Sequence, residues 1–218
     1  MDISGPGWMA ELALLVLLAP SCAAQNCQLA SRPVPDWSKQ LLAVIPDCDN
    51  QIPSPDGKFV LQVGSEGNIR VLTKGRDLAV SGDSDLEPPA MASWSPRSDV
   101  FFLNDGEGSG LSSRLRVFYV SDSRAVENWE MNRMIAKAYK QENKCSDSSD
   151  DPNVWGLGWS EDGKKMYVMA QTIVGGTCGD TDSFRGYVVD VNTRSLQETL
   201  TTTQTKSRFR ELLPKNMR

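Results

Sequence analysis

The chain repeats one turn-forming stretch three times: Ser54-Pro55-Asp56-Gly57-Lys58, Ser95-Pro96-Arg97-Ser98-Asp99 and Ser160-Glu161-Asp162-Gly163-Lys164. Proline restricts φ, aspartate bonds to nearby backbone, and glycine accepts positive φ, so each stretch has the chemistry of a tight turn. The second copy departs from the pattern, because Arg97-Ser98 stands where the other two copies have Asp-Gly. The repetition predicts three tight turns, each joining two strands.

Apolar, strand-like runs flank each of these turns. The run directly after each turn covers residues 59–63, 100–103 and 166–169, and a second run follows a loop at 69–72, 115–120 and 187–191. A further short strand that ends in tryptophan precedes the second and third turns, at Trp94 and Trp159. Pro53 occupies the corresponding position in the first copy. The chain therefore repeats an antiparallel strand-turn-strand unit.

This unit resembles the W-S-P-D-G repeat of TolB-like and WD40-like β-propellers, in which each repeat supplies one four-stranded blade. The resemblance covers about residues 52–198 and implies a mainly β fold of antiparallel, propeller-like blades. A closed propeller has roughly four to eight blades, whereas residues 25–51 and 199–218 show few strand signals. We therefore expect an open or incomplete propeller. A fourth blade assembled from the two termini is the alternative.

An inserted amphipathic helix is predicted over residues 127–142, between the second and third turns. Its apolar residues Met131, Met134, Ile135 and Ala138 recur at i, i+3, i+4 and i+7. We expect this apolar face to pack against the sheet.

The opposite face of this helix carries a narrow basic stripe, formed by Arg133, Lys137, Lys140 and Lys144. The stripe is a candidate docking surface for an acidic protein partner or for lipid headgroups. We favour the other interpretation, an ordinary solvated face with cations toward the helix C-terminus, where the helix dipole favours them.

The N-terminus has the features of an export signal. The apolar run 12–19 is too short to span a bilayer, and small residues follow it, so residues 1–24 are predicted to be a signal peptide cleaved near Ala24. Asp2 and Glu11 depart from the pattern, since a signal peptide normally begins with basic residues. A buried N-terminal helix is one alternative, and lipid attachment at Cys22 is another. The mature chain is expected to be periplasmic or secreted, with no transmembrane segment.

The two ends of the mature chain are predicted to lie outside the blades. In the segment 25–51, Asp36 would cap a short helix from Trp37 to Ile45 that ends before Pro46. The segment 199–218 is a basic tail, which we expect to be mobile or loosely docked.

Four cysteines remain after removal of the signal peptide: Cys27, Cys48, Cys145 and Cys178. An even number in an exported chain suggests two disulfides, with three possible connectivities. We favour pairing between sequence neighbours, Cys27 with Cys48 and Cys145 with Cys178. Zinc is disfavoured, since no C-x-x-C pair and no histidine is present.

Acidic residues follow two of these cysteines: Asp147, Asp150 and Asp151 after Cys145, and Asp180 and Asp182 after Cys178. A Cys145–Cys178 bond would bring the two loops together, and their carboxylates would suit Ca²⁺. We favour the other interpretation, in which these are two solvated loops joined by a disulfide.

The composition limits the possible functions. The chain has no histidine, which excludes Ser-His-Asp and Cys-His catalysis and histidine-ligated metals. Its net charge of -5 disfavours a nucleic-acid partner. Because no nucleophile motif or cofactor fingerprint is present, we expect a non-enzymatic binding module with a protein partner. The alternatives are an enzyme that uses acidic residues on carbohydrate, a Ca²⁺-dependent binding protein, and a structural remnant of a larger propeller.

Overall fold

Three β-sheets, packed face to face, make up most of the fold. The computed structural model describes residues 42–44, 49–82, 85–87, 90–106, 112–145, 150–173, 175–179 and 184–218. None of the three sheets closes on itself in this part of the chain, so each has two edge strands. The architecture is mainly β and forms an open, propeller-like stack.

The first sheet is an antiparallel meander of four strands. In chain order these are β2 (Asn50–Pro53), β3 (Phe59–Val63), β4 (Ile69–Thr73) and β5 (Arg76–Asp77). Burial alternates along β3 and β4, as expected for a sheet with one face on the core and one toward solvent.

The middle sheet contains six strands. Its four central strands run in chain order: β7 (Ala90–Trp94), β8 (Val100–Asp105), β9 (Arg114–Val120) and β10 (Arg124–Glu127). Two short strands extend it: β1 (Leu42–Val44) pairs antiparallel with β7, and β6 (Ala79–Ser81) pairs parallel with β10. Strand β6 directly follows the last strand of the first sheet in the chain, so it connects the first sheet to the outer edge of the middle sheet.

The last sheet again has four antiparallel strands in chain order: β11 (Asn153–Trp159), β12 (Lys165–Gln171), β13 (Phe184–Asp190) and β14 (Ser195–Leu200). Helix α1 (Trp129–Glu142) lies between β10 and β11 in the chain, and α2 (Thr202–Arg208) follows β14. A 3₁₀ turn at Lys215–Met217 comes near the C-terminus. The strands predicted before and after the three turns are therefore confirmed.

Both faces of the middle sheet are buried. Phe101 and Leu103 of β8 contribute to the core shared with the first sheet, whereas Val100 and Phe102 contribute to the core shared with the last sheet and α1. Every residue of β8 is consequently buried, as in a strand covered on both sides. Trp94 and Trp159 are buried in these two cores.

The first and third turns share one hydrogen-bonding pattern. In the first, Asp56 Oδ1 accepts hydrogen bonds from Ser54 Oγ (2.7 Å) and from the Lys58 amide (2.9 Å). In the third, Asp162 Oδ1 accepts equivalent bonds from Ser160 Oγ (2.7 Å) and the Lys164 amide (3.0 Å). The hydrogen bonds made by these aspartates explain why both turns need this residue type.

The second turn keeps the same backbone shape without the Asp-Gly pair. Ser98 has φ 63°, close to the 70° of Gly57 and the 66° of Gly163. Asp99 replaces the missing aspartate, since its Oδ1 accepts from Ser95 Oγ at 3.1 Å. A left-handed serine is disfavoured by its Cβ, so the surrounding hydrogen bonds must hold this turn.

The predicted N-terminal helix is wrong where the structure describes it. Leu42–Val44 form strand β1, with Ala43 opposite Met91 of β7. Pairing with β7 satisfies backbone groups that would otherwise lie at an unpaired sheet edge, which overrides the local helical periodicity. The rest of that helix, and residues 1–24 with Cys22, lie outside the described residues.

The C-terminal segment is docked by buried side chains, so the expectation of a mobile or loosely docked tail is wrong. Phe209 and Leu213 are buried, in one core with Leu157, Met169 and Val188 of the last sheet. The outer face of this sheet is apolar, and the sequence after β14 covers it. Sheet packing thus explains the order of the tail, which composition alone did not indicate.

Candidate partner-binding site

Helix α1 begins and ends with well-formed caps. Asn128 is its N-cap, and its side chain accepts a hydrogen bond from the Glu130 amide at 3.1 Å. At the C-terminus the Cys145 amide donates to the Lys140 carbonyl (2.9 Å), and the Lys144 amide donates to the Gln141 carbonyl (3.2 Å). Lys144 has φ 55°, so these bonds form a Schellman motif with a lysine in the left-handed position.

The buried face of α1 is rotated slightly from the predicted one. Met131 and Ile135 are buried as predicted, but Ala136 and Tyr139 complete the buried set. Met134 and Ala138 are only partly buried at its margin. The shift leaves these two residues accessible beside the charged face.

An exposed ridge runs along α1 and separates two surface grooves. Arg133, Lys137 and Gln141, spaced four residues apart on one helical face, line both grooves. Lys137 is exposed, and 73% of the Arg133 side chain is accessible. Arg133 also contacts Glu130 one turn earlier, at 3.1 Å.

The first groove lies on the side of α1 near the loop that follows the helix. Its volume is about 390 Å³, and its lining includes Asn132, Ala136 and Asp151 in addition to the ridge and Lys140. Lys140 Nζ lies 2.7 Å from Asp151 Oδ1, and only 15% of the Lys140 side chain is accessible. This lysine therefore fixes the loop to the helix as well as contributing charge to the groove.

The second groove lies between α1 and β14, and we call it the α1–β14 groove. Its volume is about 670 Å³. Its lining comprises the ridge, Asn128, Glu130, Met131, Met134, Ala138, Arg194 and Leu196. An apolar floor with charged walls is characteristic of small recognition sites.

Arg194, in the wall opposite the ridge, is held in place by an aromatic ring. Its guanidinium carbon lies 4.3 Å from the centre of the Tyr119 ring. Tyr119 Oη donates a hydrogen bond to the Val191 carbonyl at 2.8 Å. Burial raises the pKa of Tyr119, and the neighbouring Arg194 charge opposes that rise. Tyr119 is thus a neutral platform beneath the cation.

The structure divides the four predicted basic residues. Arg133 and Lys137 lie together on the ridge, and Lys140 lies in the first groove beside Asp151. Lys144 lies beyond the helix C-terminus in the left-handed conformation and lines neither groove. The basic stripe predicted from helical spacing therefore does not continue to Lys144, because the helix ends before that residue.

The predicted Cys145–Cys178 disulfide is present, with 5.4 Å between the two Cα atoms. It joins the end of α1 to the loop after β12, and Tyr139 Oη donates to the Cys178 carbonyl at 3.4 Å beside it. The same loop is held by Asp150, whose Oδ2 accepts from both the amide and the hydroxyl of Thr177 at 3.2 Å. Cys27 and Cys48 lie outside the described residues.

The proposed calcium ligands remain a prediction. Asp147, Asp180 and Asp182 lie outside the described residues, whereas Asp150 contacts Thr177 and Asp151 contacts Lys140. Within the described ranges no group of three or more cysteine or acidic side chains is arranged to hold a metal ion.

A separate apolar pocket of about 390 Å³ lies beside the first two turns. Its lining includes Pro53, Pro55 and Pro96 together with Trp94 and Trp159. The indole nitrogens point inward: Trp94 Nε1 donates to the Ile52 carbonyl and Trp159 Nε1 to Ser93 Oγ, each at 3.0 Å. Both tryptophans thereby serve the core and the packing between sheets.

Comparison with known proteins gives structural likeness only. No protein-family model and no curated protein matches the chain. Several solved structures resemble it, and three of them are described below. A protein described as TolB from Agrobacterium tumefaciens is 17% identical with a TM-score of 0.36, and the match covers 68% of this chain and 44% of that one. The β-propeller domain of Cps50 (Swd1) from Myceliophteria thermophila is 12% identical with a TM-score of 0.41, covering 69% and 41%.

The third similar structure, a structural-genomics protein from Lactobacillus plantarum, is 15% identical with a TM-score of 0.37, covering 70% of this chain and 41% of that one. This chain therefore matches less than half the length of each of the three structures. In the part of the chain that the structure describes, no helix is both long and apolar enough to cross a bilayer.

Sequence reasoning missed the wall of the α1–β14 groove opposite the ridge. Arg194 and Leu196 lie far along the chain from α1, and no spacing rule connects them with it. The only local signal is the turn chemistry after β13, where Asp190 accepts hydrogen bonds from the Asn192 and Thr193 amides at 2.9 Å. These hydrogen bonds predict a turn, but they do not indicate that the turn lies next to α1.

Proposed function

We propose that this protein is an exported, non-enzymatic interaction module, which binds a protein partner through the exposed ridge of α1. The observation that supports this most directly is the position of Arg133 and Lys137, exposed between two grooves on a chain whose net charge is -5. Grooves flanked by accessible arginine offer the contacts that protein interfaces favour.

The scaffold supports the same proposal. We take the three turns to be degenerate W-S-P-D-G units, because Ser98 adopts the backbone conformation of Gly57 and Gly163. The middle and last sheets share one buried core with α1, and the disulfide anchors the end of the helix. A rigid element is a suitable base for a recognition surface. The sequence, which has no histidine and no nucleophile motif, supports binding over catalysis.

Affinity capture with charge-reversed variants tests the binding surface. Wild-type protein, Arg133→Glu/Lys137→Glu and the control Arg76→Glu/Arg210→Glu are immobilised, and cell extract and culture medium from the source are passed over each. The control makes the same charge change at exposed sites outside both grooves. We expect a protein retained by wild type and control to be lost from the ridge variant. Equal retention by all three would refute the proposed surface.

Export has its own test. The Cys145–Cys178 bond supports an oxidising compartment, because structural disulfides persist mainly there. N-terminal sequencing of the protein isolated from its source should find a chain that begins near residue 25. An intact Met1 in a cytosolic fraction would contradict export, and a lipid-bearing Cys22 at the N-terminus would replace secretion with anchoring.

A further inference from the structure

The α1–β14 groove has cations on both walls. Arg133 and Lys137 form one wall, and Arg194 forms the other. Glu130 is the one acidic residue that lines the groove in the described part of the chain, and it contacts Arg133. A segment lying in the groove would therefore meet positive charge along both of its sides.

The floor of the groove is apolar. Met131, Met134, Ala138 and Leu196 line it, and all except Met131 are partly exposed. Methionine adapts its shape to an apolar ligand, so two methionines beside a leucine suit side chains of varied form. A volume of about 670 Å³ accommodates several side chains of a peptide.

The wall at Arg194 is preorganised. Its backbone has φ 56°, and its guanidinium stacks on Tyr119, which is itself bonded to the Val191 carbonyl. Holding the cation before binding lowers the entropy lost when an acidic ligand arrives. The position of Arg194 thus favours a ligand over a freely solvated surface charge.

We propose that the α1–β14 groove binds an acidic amphipathic segment of a partner protein, with its apolar side chains on the floor and its carboxylates between the two basic walls. This inference rests on the proposed function and specifies the partner's chemistry. Charge complementarity supports it, because the groove is basic while the chain as a whole is acidic.

A membrane is the less suitable occupant. Peripheral helices insert a convex apolar face into the bilayer, whereas Met134 and Leu196 lie in a groove between α1 and β14. The overall negative charge also repels an anionic lipid surface.

Binding of a defined peptide tests the inference. The probe is a helical peptide of about 16 residues with leucine at i, i+3, i+4 and i+7 and glutamate at most other positions. Two probe controls replace all glutamates with glutamine or all leucines with serine. By fluorescence anisotropy we expect wild type to bind the probe, and each control peptide to bind at least about fivefold more weakly.

Protein variants locate the binding to this groove. Arg194→Gln and Met134→Gln should each weaken binding of the probe about fivefold, whereas Lys164→Gln, outside the groove, should leave it unchanged. Circular dichroism checks that each variant is folded. If a variant misfolds, the two control peptides still test the inference, because they are measured on wild-type protein. Any of three results would overturn the inference. These are the absence of saturable binding to wild type up to about 1 mM probe, an affinity for the probe that is the same in Arg194→Gln as in wild type, and displacement of the probe by phosphatidylglycerol vesicles.

Crosslinking separates this inference from the proposed function. A photoreactive phenylalanine analogue is placed at Leu196 in the α1–β14 groove, or at Asn132 in the first groove, and the captured partner is mapped. We expect crosslinks from position 196 to an Asp/Glu-rich segment. If ridge-dependent capture succeeds but only position 132 crosslinks, the groove inference fails and the proposed function stands. If capture does not depend on the ridge, the proposed function itself fails.

Discussion

Arg116 and Glu127 form a buried, doubly hydrogen-bonded ion pair between β9 and β10. Arg116 Nε and Nη2 donate to the two carboxylate oxygens of Glu127 at 3.0 and 2.9 Å, and the two side chains are 0% and 2% accessible. Arg116 Nη1 also donates to the Asp85 carbonyl at 2.6 Å, in the segment between β6 and β7. The pair thus connects β9 and β10 with the chain that leads into β7.

Removing one partner of this pair should be strongly destabilising. Glu127→Gln removes the carboxylate that accepts two hydrogen bonds from the buried Arg116 and leaves the longer 3.5 Å contact with Asp105, so we expect the free energy of unfolding to fall by about 3 kcal/mol. Asp77→Asn is the matched control, because the Arg70–Asp77 pair is 47% and 53% accessible and its removal should cost far less stability. Urea unfolding measures both values. Similar losses in the two variants would show that burial does not set the contribution of the pair.

The Cys145–Cys178 disulfide should contribute substantially to stability. It closes a loop with a sequence separation of 33, for which restriction of the unfolded chain predicts about 3–4 kcal/mol. We expect Cys145→Ala/Cys178→Ala to lose this amount in urea unfolding, and hydrogen exchange at the C-terminal end of α1 to accelerate. The control is the double variant with added reductant, because any further loss of stability would come from another disulfide. A variant as stable as wild type would contradict the expectation.

The docked C-terminal segment should behave as part of the core. Phe209 is buried and its ring lies 4.8 Å from that of Tyr167, so Phe209→Ala should cost about 3–5 kcal/mol. Neighbouring Arg210 is exposed, and Arg210→Ala should change stability by less than about 0.5 kcal/mol. Thermal unfolding compares the two, and limited trypsin digestion should cleave the tail faster in Phe209→Ala. A mobile tail would give both variants the wild-type melting temperature.

The two aspartate turns should make stability depend on acid pH. The Lys58 amide and Ser54 hydroxyl lower the pKa of Asp56 below 3.8, and the Ser160 hydroxyl and Lys164 amide do the same for Asp162. A lowered folded-state pKa means that the stabilisation is complete above the unfolded pKa and is lost as pH falls through the folded pKa. We expect Asp56→Asn/Asp162→Asn to be less stable than wild type at neutral pH.

That difference should narrow as the pH is lowered below 3.8, because wild type then loses the advantage of the charged carboxylates. Urea midpoints measured across the acid range provide the test. Glu161→Gln, at the exposed residue beside Asp162, controls for the removal of negative charge alone. A difference that stays constant with pH would show that these aspartates do not titrate differently in the folded state.

Much of the fold was predictable because its signals are local. Asp56 and Gly57 satisfy the requirements of a turn within a few residues, and the alternating apolar residues of β3 and β4 report which face is buried. Helix α1 was predictable for the same reason, although Ala136 and Tyr139 are buried in place of the predicted Met134 and Ala138.

The errors occurred where long-range pairing outweighed local preference. Leu42–Val44 were predicted as helix but form a strand, because β7 presents an edge that they can pair with. The basic C-terminal segment was predicted to be mobile or loosely docked, but Phe209 and Leu213 cover the apolar outer face of the last sheet. Neither partner is recognisable from the sequence of the segment itself.

The candidate site was predictable only in part. Helical spacing identified Arg133 and Lys137, since residues four apart share a face, but it could not indicate that Lys140 would contact Asp151. Arg194 belongs to the same groove only because the hairpin between β13 and β14 lies beside α1. Its contribution depends on how the last sheet packs against the helix.

The sequence by itself determined the turns, most strands, the inserted helix and the exclusion of histidine chemistry, because these depend on residue identity and short spacings. Only the tertiary structure decided the order of the sheets and the pairing of β6 with β10 in the middle sheet. It also decided the burial of Arg116 and the position of basic residues on both sides of the α1–β14 groove. These features join residues distant in the chain, and their partners are selected by the cooperative burial of apolar surface across the whole fold.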